Sequence, residues 1–194
     1  MKVLLVNGSP HKNGCTCTAL GAVGDALNQN GVSTDLFWIG TKPIGGCIGC
    51  HQCAKRNQCV FDDKVNEFLS IAGDYDGYVF GTPVHWGAAA GNMTSFLDRV
   101  FYADLNAGGD RFRLKPAAAV VSARRAGTTA TWDQINKYFA LMQCPSSPPA
   151  TGPPSTARRR TRCWRTKKGC RSCGSLATIW PTSSNAKTWP LRPV

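Results

Sequence analysis

Residues 1–20, MKVLLVNGSPHKNGCTCTAL, decide the fold. The run KVLLVN at 2–7 is short, continuously apolar and enters a turn at once, which reads as a strand buried on both faces. A hydroxyl-rich turn from Ser9 to Thr18 follows, and it feeds a helix whose apolar face is marked by Leu20, Val23 and Leu27. Strand, polar turn and helix are the opening of a βαβ unit.

The same grammar continues along the chain. STDLFWI (33–39), GYVFGTP (77–83) and AAAVVSA (117–123) are further short apolar runs and are expected to be buried on both faces. Helical spacing links Val65, Phe68, Leu69 and Ala72, then Met93, Phe96, Leu97, Val100 and Phe101, then Trp132, Ile135, Phe139 and Met142. Asp62 or Asp63 stands where a cap is needed for a helix starting at Lys64. Alternation of strands and helices predicts an α/β fold, a doubly wound parallel sheet covered on both sides. In such sheets ligands gather at the carboxyl ends of the strands. A flavodoxin-like sheet has five strands in the order 2-1-3-4-5, and the fifth should start just after residue 143.

Charge is distributed unevenly. The chain has 194 residues and a net charge of +12, yet residues 1–143 hold thirteen Lys and Arg against eleven Asp and Glu. All remaining excess lies in residues 144–194, which contain no acid and eight of the twelve prolines. The front of the chain is therefore an ordinary, nearly neutral domain with no reason to seek a polyanion. No apolar stretch approaches membrane-spanning length and no leader pattern opens the chain, so a cytoplasmic location is expected. Ten cysteines in that setting point to metal-binding, reactive or buried thiols rather than disulfides.

The first turn matches neither G-x-G-x-x-G nor G-x-x-x-x-G-K-[ST]. It suits a terminal phosphate held by backbone N–H groups at a helix start, with Ser9, Thr16 and Thr18 as donors and His11 as a charge; a capped helix start with no ligand is the plainer alternative. With FGTPVHWGAAAGNMTSFLDR (80–99) and SARRAGTTAT (122–131), the stretch NGSPHKNGCT (7–16) resembles the flavodoxin-like NAD(P)H-dependent FMN reductase family over residues 1–143. The resemblance implies FMN as cofactor and NAD(P)H as co-substrate. It implies that Ser9, His11, Cys15, Thr16 and Thr18 hold the phosphate, and that Thr82, Pro83, Val84, His85 and Trp86 lie along the isoalloxazine ring. Ala123, Arg124, Gly127 and Thr128 would form the third contact. Cys15 stands where the family often has Asn, and His85 where Tyr is usual. Read from the residues alone, Pro83 stiffens the turn, Gly87 and Gly91 let backbone approach a flat ligand, and Trp86 either stacks on that ligand or fills the core.

GCIGCHQCAKRNQC (46–59) places Cys47, Cys50, Cys53 and Cys59 in a C-x2-C-x2-C-x5-C run. Three thiols at three-residue steps wrap one face of a cluster and the fourth closes it, whereas zinc favours two separated pairs. The motif resembles that of the iron–sulfur flavoproteins, which implies a [4Fe-4S] cluster near FMN. Free thiols that shape the flavin site or a subunit contact are the alternative reading, and His51 is either a substitute ligand or an exposed loop histidine.

The tail has no strand pattern where the fifth strand is due. With synonymous codons chosen to permit it, one base restored ahead of Cys144 lets CPSSP (144–148) be read as MPIVS, a buried-strand sequence, and the same frame can be read on without a stop through a loop and an amphipathic helix of the kind that the resemblance implies for the end of the chain. Residues 144–194 are accordingly expected to be a frameshifted, non-native tail behind a 1–143 FMN-binding domain, poorly packed from about residue 144. Arg158, Arg159, Arg160, Cys163, Cys170 and Cys173 then have no site of their own, and nucleic-acid binding by this segment is not expected.

The implied function is a cytoplasmic flavin oxidoreductase that takes hydride from NAD(P)H and passes electrons to a small acceptor, an electron carrier or a cluster at Cys47–Cys59, with His85 as a proton relay. Alternatives are a flavodoxin-type carrier without nicotinamide activity, or an FMN-free scaffold. The resemblance implies a homodimer or tetramer.

Overall fold

The computed structural model describes residues 1–146 of the chain. Its elements run β1 (Lys2–Asn7), α1 (Cys15–Gln29), β2 (Ser33–Trp38), α2 (Cys53–Arg56), α3 (Lys64–Ala72), β3 (Gly77–His85), β4 (Ala88–Ala89), α4 (Gly91–Asn106), β5 (Ala117–Ser122) and α5 (Thr128–Leu141). Four strands pair in parallel in the order β2-β1-β3-β5, and β4 folds back antiparallel on the end of β3. This is the doubly wound flavodoxin-like arrangement, with β5 in fourth place.

The strands at the centre behave as their apolar runs require. Val3 through Val6 and Tyr78 through Phe80 are buried, and the sheet separates two apolar clusters. On one face Phe68 of α3, Phe96 and Val100 of α4 and Phe139 of α5 close over Leu4, Val6, Tyr78 and Phe80. Each such fully buried large side chain contributes about 1.5–3 kcal/mol. On the other face Leu20, Val23 and Leu27 of α1 cover Val3, Leu5, Val79 and Ala118. Among the described residues α1 is the sole helix on that face.

β2 corrects the expectation of two buried faces: Leu36 is 51 % exposed and Asp35 is exposed as well. Among the described residues β2 pairs with β1 alone, so it is an edge strand, and an edge tolerates charge. Asp35 uses that exposure to take Lys2 Nζ at 2.7 Å and the Tyr75 hydroxyl at 2.7 Å, which hold its carboxyl below the usual range, Lys2 foremost.

Beyond α5 the chain turns back along β5. Cys144 is buried, its thiol donates to Phe112 O at 3.2 Å, and burial pushes its pKa up to about 12. Ala117 N donates to Pro145 O at 3.0 Å, and Ala117 and Ser146 form an isolated parallel bridge. Poor packing from residue 144 is thus corrected at its first residue, because the backbone there finds partners on the free edge of β5. The rest of the expected non-native tail, 147–194, lies outside the described residues.

α3 starts where a cap was expected. Asp63 is its N-cap and accepts from Val65 N at 3.0 Å; it also takes Nη1 and Nη2 of Arg99 at 2.6 and 2.9 Å. Arg99 is 2 % exposed, so this forked pair supplies most of the compensation for a buried cation. Asp63→Ala removes a cap and strands that charge, and is expected to cost about 3 kcal/mol, the lower end for a broken buried pair because Asp63 itself is partly exposed. Urea unfolding checks it; a loss under about 1 kcal/mol, the scale of a cap alone, would contradict the pairing.

Candidate functional site

The carboxyl ends of β1, β3 and β5 carry the three segments read as flavin contacts, and hydrogen bonds tie them together. Gly8 N donates to Gly81 O at 2.8 Å, joining the first turn to β3. A Cβ on Gly8 would meet Met93 Sδ at 2.6 Å and Gly81 O at 2.9 Å, so only glycine allows this approach. Thr16 Oγ1 and Ser122 Oγ lie 2.8 Å apart, joining α1 to the end of β5. Trp38 Nε1 donates to Ser9 O at 2.8 Å, which fixes the turn against the end of β2.

The hydroxyls of the first turn have different partners. Ser9 is buried; Asn7 Oδ1 accepts from its N–H, and its Oγ accepts from His11 N at 3.1 Å, leaving its own O–H to donate. Thr16 is buried against Ser122, and Thr18 Oγ1 donates to Gly14 O at 3.2 Å within the helix. Ser9 thus keeps its O–H for a further partner, while the Thr16 and Thr18 hydroxyls also contact Ser122 and Gly14. No side chain caps α1, whose N-cap is Gly14, and no acidic residue stands in its first turn. Cys15 is half-buried, and His11 and Lys12 are exposed beside the turn. An uncapped helix start, a buried Ser hydroxyl and two exposed bases, with no acid before Asp25, form a donor set that fits the phosphate of FMN.

The second and third segments touch each other. Thr82 is buried, and its hydroxyl accepts from Ala90 N at 3.2 Å. Pro83 and Val84 are half-buried, and His85 and Trp86 are exposed. Val84 pairs with Ala89 and His85 with Ala88, so Trp86 and Gly87 make a two-residue hairpin turn with φ of 50° and 80°. Both angles are positive, as a type I′ turn requires, and for a tryptophan that is strained. Trp86 is 105 % exposed, which removes the core-filling alternative and leaves the ring free to meet a flat partner. Gly127, at φ 90°, lies against the hairpin so closely that a Cβ would meet Gly87 Cα and Val84 Cγ1 at 2.9 Å. Ala123 and Thr128 are buried beside it and Arg124 is exposed.

The cysteine run forms a second centre. Cys47, Cys50, Cys53 and Cys59 all line one recess of about 330 Å³ including its open mouth, shared with His51, Phe61, Arg99 and Tyr102. Cys47 and Cys50 are exposed, Cys53 is buried at the start of α2, and Cys59 is half-buried. Burial pushes the Cys53 thiol pKa up, with Cys47 and Cys50 adding to the shift. Among the described residues no three His, Cys, Asp or Glu side chains stand at metal-binding distances, so the thiols share a recess without converging on one point. As a donor set, four thiols in C-x2-C-x2-C-x5-C spacing on one recess fit an iron–sulfur cluster. His51 has φ 56°, and its Nδ1 lies 3.1 Å from the Tyr102 hydroxyl, which places it on the rim.

Several residues that build these centres carry no local signal. Asn92 takes Ile44 N on Oδ1 at 3.2 Å and gives Nδ2 to Lys42 O at 3.0 Å, pinning the start of the cysteine loop to α4. Asn66 brackets Cys59 from both sides, accepting its N–H at 2.8 Å and donating to its carbonyl at 3.0 Å. Trp38 was legible only as a strand residue; an indole at the carboxyl end of a strand beside a polar turn was the available clue.

Comparison with known proteins gives the family and the fold. The family model for NADPH-dependent FMN reductase matches residues 1–152. An iron–sulfur flavoprotein of Methanocaldococcus jannaschii is 30 % identical over 142 residues, covering 73 % of this chain and 72 % of that protein. One of Methanosarcina thermophila is 24 % identical over 141 residues, covering 73 % and 74 %, and one of Archaeoglobus fulgidus is 29 % identical over 100 residues, covering 52 % and 46 %. Among solved structures, RosB with a bound riboflavin-phosphate intermediate superposes with a TM-score of 0.72 at 14 % identity, covering 96 % of this chain and 79 % of that one. An NAD(P)H:quinone oxidoreductase of Methanothermobacter marburgensis gives 0.69 at 12 % identity, covering 93 % and 96 %. At those identities the two superpositions speak for the fold alone. The chain belongs to the NADPH-dependent FMN reductase family, and is a flavin oxidoreductase of flavodoxin-like fold.

Proposed function

We propose that this protein takes hydride from NAD(P)H on FMN held at the carboxyl ends of β1, β3 and β5, and delivers electrons to a small acceptor or to an iron–sulfur cluster at Cys47, Cys50, Cys53 and Cys59. The observation that carries the reading is the convergence of the turn at 8–16, the hairpin at 82–89 and the loop at 123–128, fastened by the Gly8–Gly81 and Thr16–Ser122 hydrogen bonds. FMN, when bound, supplies a ring that accepts hydride and releases electrons. The chain supplies binding and orientation. Ser9 and the uncapped start of α1 face a phosphate, with the His11 and Lys12 side chains nearby. The strained hairpin presents Trp86 and His85 at the surface, where a nicotinamide or an acceptor approaches. Exposure of His85 suits a proton relay to solvent. Among the described residues no helix is long and apolar enough to cross a membrane, and a cytoplasmic homodimer or tetramer is the assembly in which we place this chemistry.

The tail belongs to the same proposal. Residues 144–194 are read as a frameshifted translation of a last strand and helix. What supports this is the sequence, since Cys144 begins a segment with no acid, eight prolines and no strand pattern where a fifth strand is due; the backbone partners that Pro145 and Ser146 find on β5 count against it. Restoring the frame from residue 144 is expected to raise the melting temperature by several degrees, as a few kcal/mol of added burial does in a domain of this size. An unchanged or lower melting temperature would sink the frameshift reading.

The catalytic reading is tested by anaerobic stopped-flow with the purified full chain. Addition of NADPH or NADH is expected to bleach the flavin absorbance within the mixing experiment and in proportion to protein. A protein that binds FMN and is bleached by dithionite, but by neither nicotinamide, would be a flavodoxin-type carrier instead.

A further inference from the structure

Arg99 is the most deeply buried cation described, with a side chain 1 % exposed, and each of its five N–H donors has an acceptor. Nη1 reaches Asp63 Oδ2 at 2.6 Å and Gly45 O at 3.4 Å, and Nη2 reaches Asp63 Oδ1 at 2.9 Å and Phe61 O at 3.3 Å. The fifth, Nε–H, points at Cys59 Sγ, 3.2 Å away. Phe61 also covers the guanidinium with its ring, 4.9 Å from the centroid. The four oxygen contacts fold the segment from Gly45 to Asp63 around one group. The sulfur contact is different in kind, since a neutral thiol is a poor acceptor and returns little for a desolvated charge. It becomes a strong contact when the sulfur carries negative charge, as a metal-bound thiolate does.

We propose that Arg99 is a positioning residue of the cysteine centre: it holds Cys59 at the wall of the recess as the distant fourth ligand and, by its hydrogen bond and charge, stabilises the reduced state of a cluster bound there. This rests on the reading of the four cysteines as cluster ligands given above. The physical basis is that cluster potentials follow net charge, burial and hydrogen bonds to the sulfurs. A reduced cluster carries one more negative charge than the oxidised one, so a buried cation against one of its ligands favours reduction. Asp63 offsets part of that charge, but it is 32 % exposed and shared with the α3 cap, whereas Arg99 lines the recess itself. Cys59 is the ligand that needs such help. It lies six residues beyond the nearest of the other three, outside α2, and Asn66 fixes its backbone while leaving its side chain to Arg99.

The test uses the full chain, loaded anaerobically with ferrous iron and sulfide and titrated reductively with EPR detection. In Arg99→Gln, which removes the charge, the reduced-to-oxidised ratio at the wild-type midpoint is expected to fall at least tenfold, about 59 mV for one electron. Arg99→Lys keeps the charge but loses the fork, and is expected to recover part of that shift. Because either substitution can disturb folding, the second measurement leaves the wild-type sequence intact. Protein grown on guanidinium-15N arginine is expected to show a 15N coupling in the pulsed EPR spectrum of its reduced cluster, and Arg99→Lys to lack it. An unchanged midpoint in Arg99→Gln, or no 15N coupling in a wild-type chain that holds the cluster, overturns the proposal and leaves Arg99 as a tie for the loop alone. A wild-type chain that takes up no iron and sulfide overturns the cluster reading on which the proposal stands.

Discussion

The site depends on the contact of two glycines: Gly8 N on Gly81 O at 2.8 Å, with no room for a Cβ at either residue. On Gly81 a Cβ would meet Leu20 at 2.7 Å and Thr16 Cγ2 at 2.9 Å, so α1 lies almost on the backbone of β3. That closeness puts the uncapped start of α1 level with the ends of the central strands, and it sets Thr16 within reach of Ser122. A parallel sheet brings strand ends together in any sequence; these glycines decide how near the helix start and the hairpin come to each other. From that spacing follows the place of a helix start that no side chain caps, and such a start serves an anion better than an exposed lysine does because its donors are fixed before a ligand arrives.

α4 ties the two centres together. It begins two residues after β4, where the hairpin ends, and its first turn holds Lys42 and Ile44 through Asn92. Two turns later the same helix holds Cys59, Phe61 and Asp63 through Arg99. The loop carrying the four cysteines is therefore gripped at both ends by one rigid element, whose amino end abuts the flavin-side hairpin. A single helix spanning both centres fixes their separation, which the proposed passage of electrons between them would require.

Much of the frame was readable because it is written in periodicity. The runs at 2–7, 77–83 and 117–123 are buried strands, the apolar spacings at 65–72 and 93–101 lie on helices facing the core, and Asp63 caps α3. What stayed hidden are properties of tertiary partners. Leu36 sits in a run whose apolar part, LFWI, gives no sign of an edge, because burial of a strand depends on a second neighbour that its own sequence does not name. The partners of the Thr16 and Thr18 hydroxyls, Ser122, 106 residues away, and Gly14, were equally invisible in the sequence. Trp86 could be assigned to core or ligand only once the hairpin turn put it in solvent. Arg99, flanked by Asp98 and Val100 on an amphipathic helix, reads as a surface charge; its burial follows from a loop forty residues upstream folding back over it.

The central claim is that the turn between β1 and α1 holds the phosphate of a flavin mononucleotide. Stripped of bound flavin and titrated with FMN, the protein should quench the flavin fluorescence with one site per chain at micromolar concentration or below, and riboflavin, which lacks the phosphate, should bind far more weakly. Equal affinity for riboflavin and FMN, or no quenching at concentrations well above micromolar, would contradict the account.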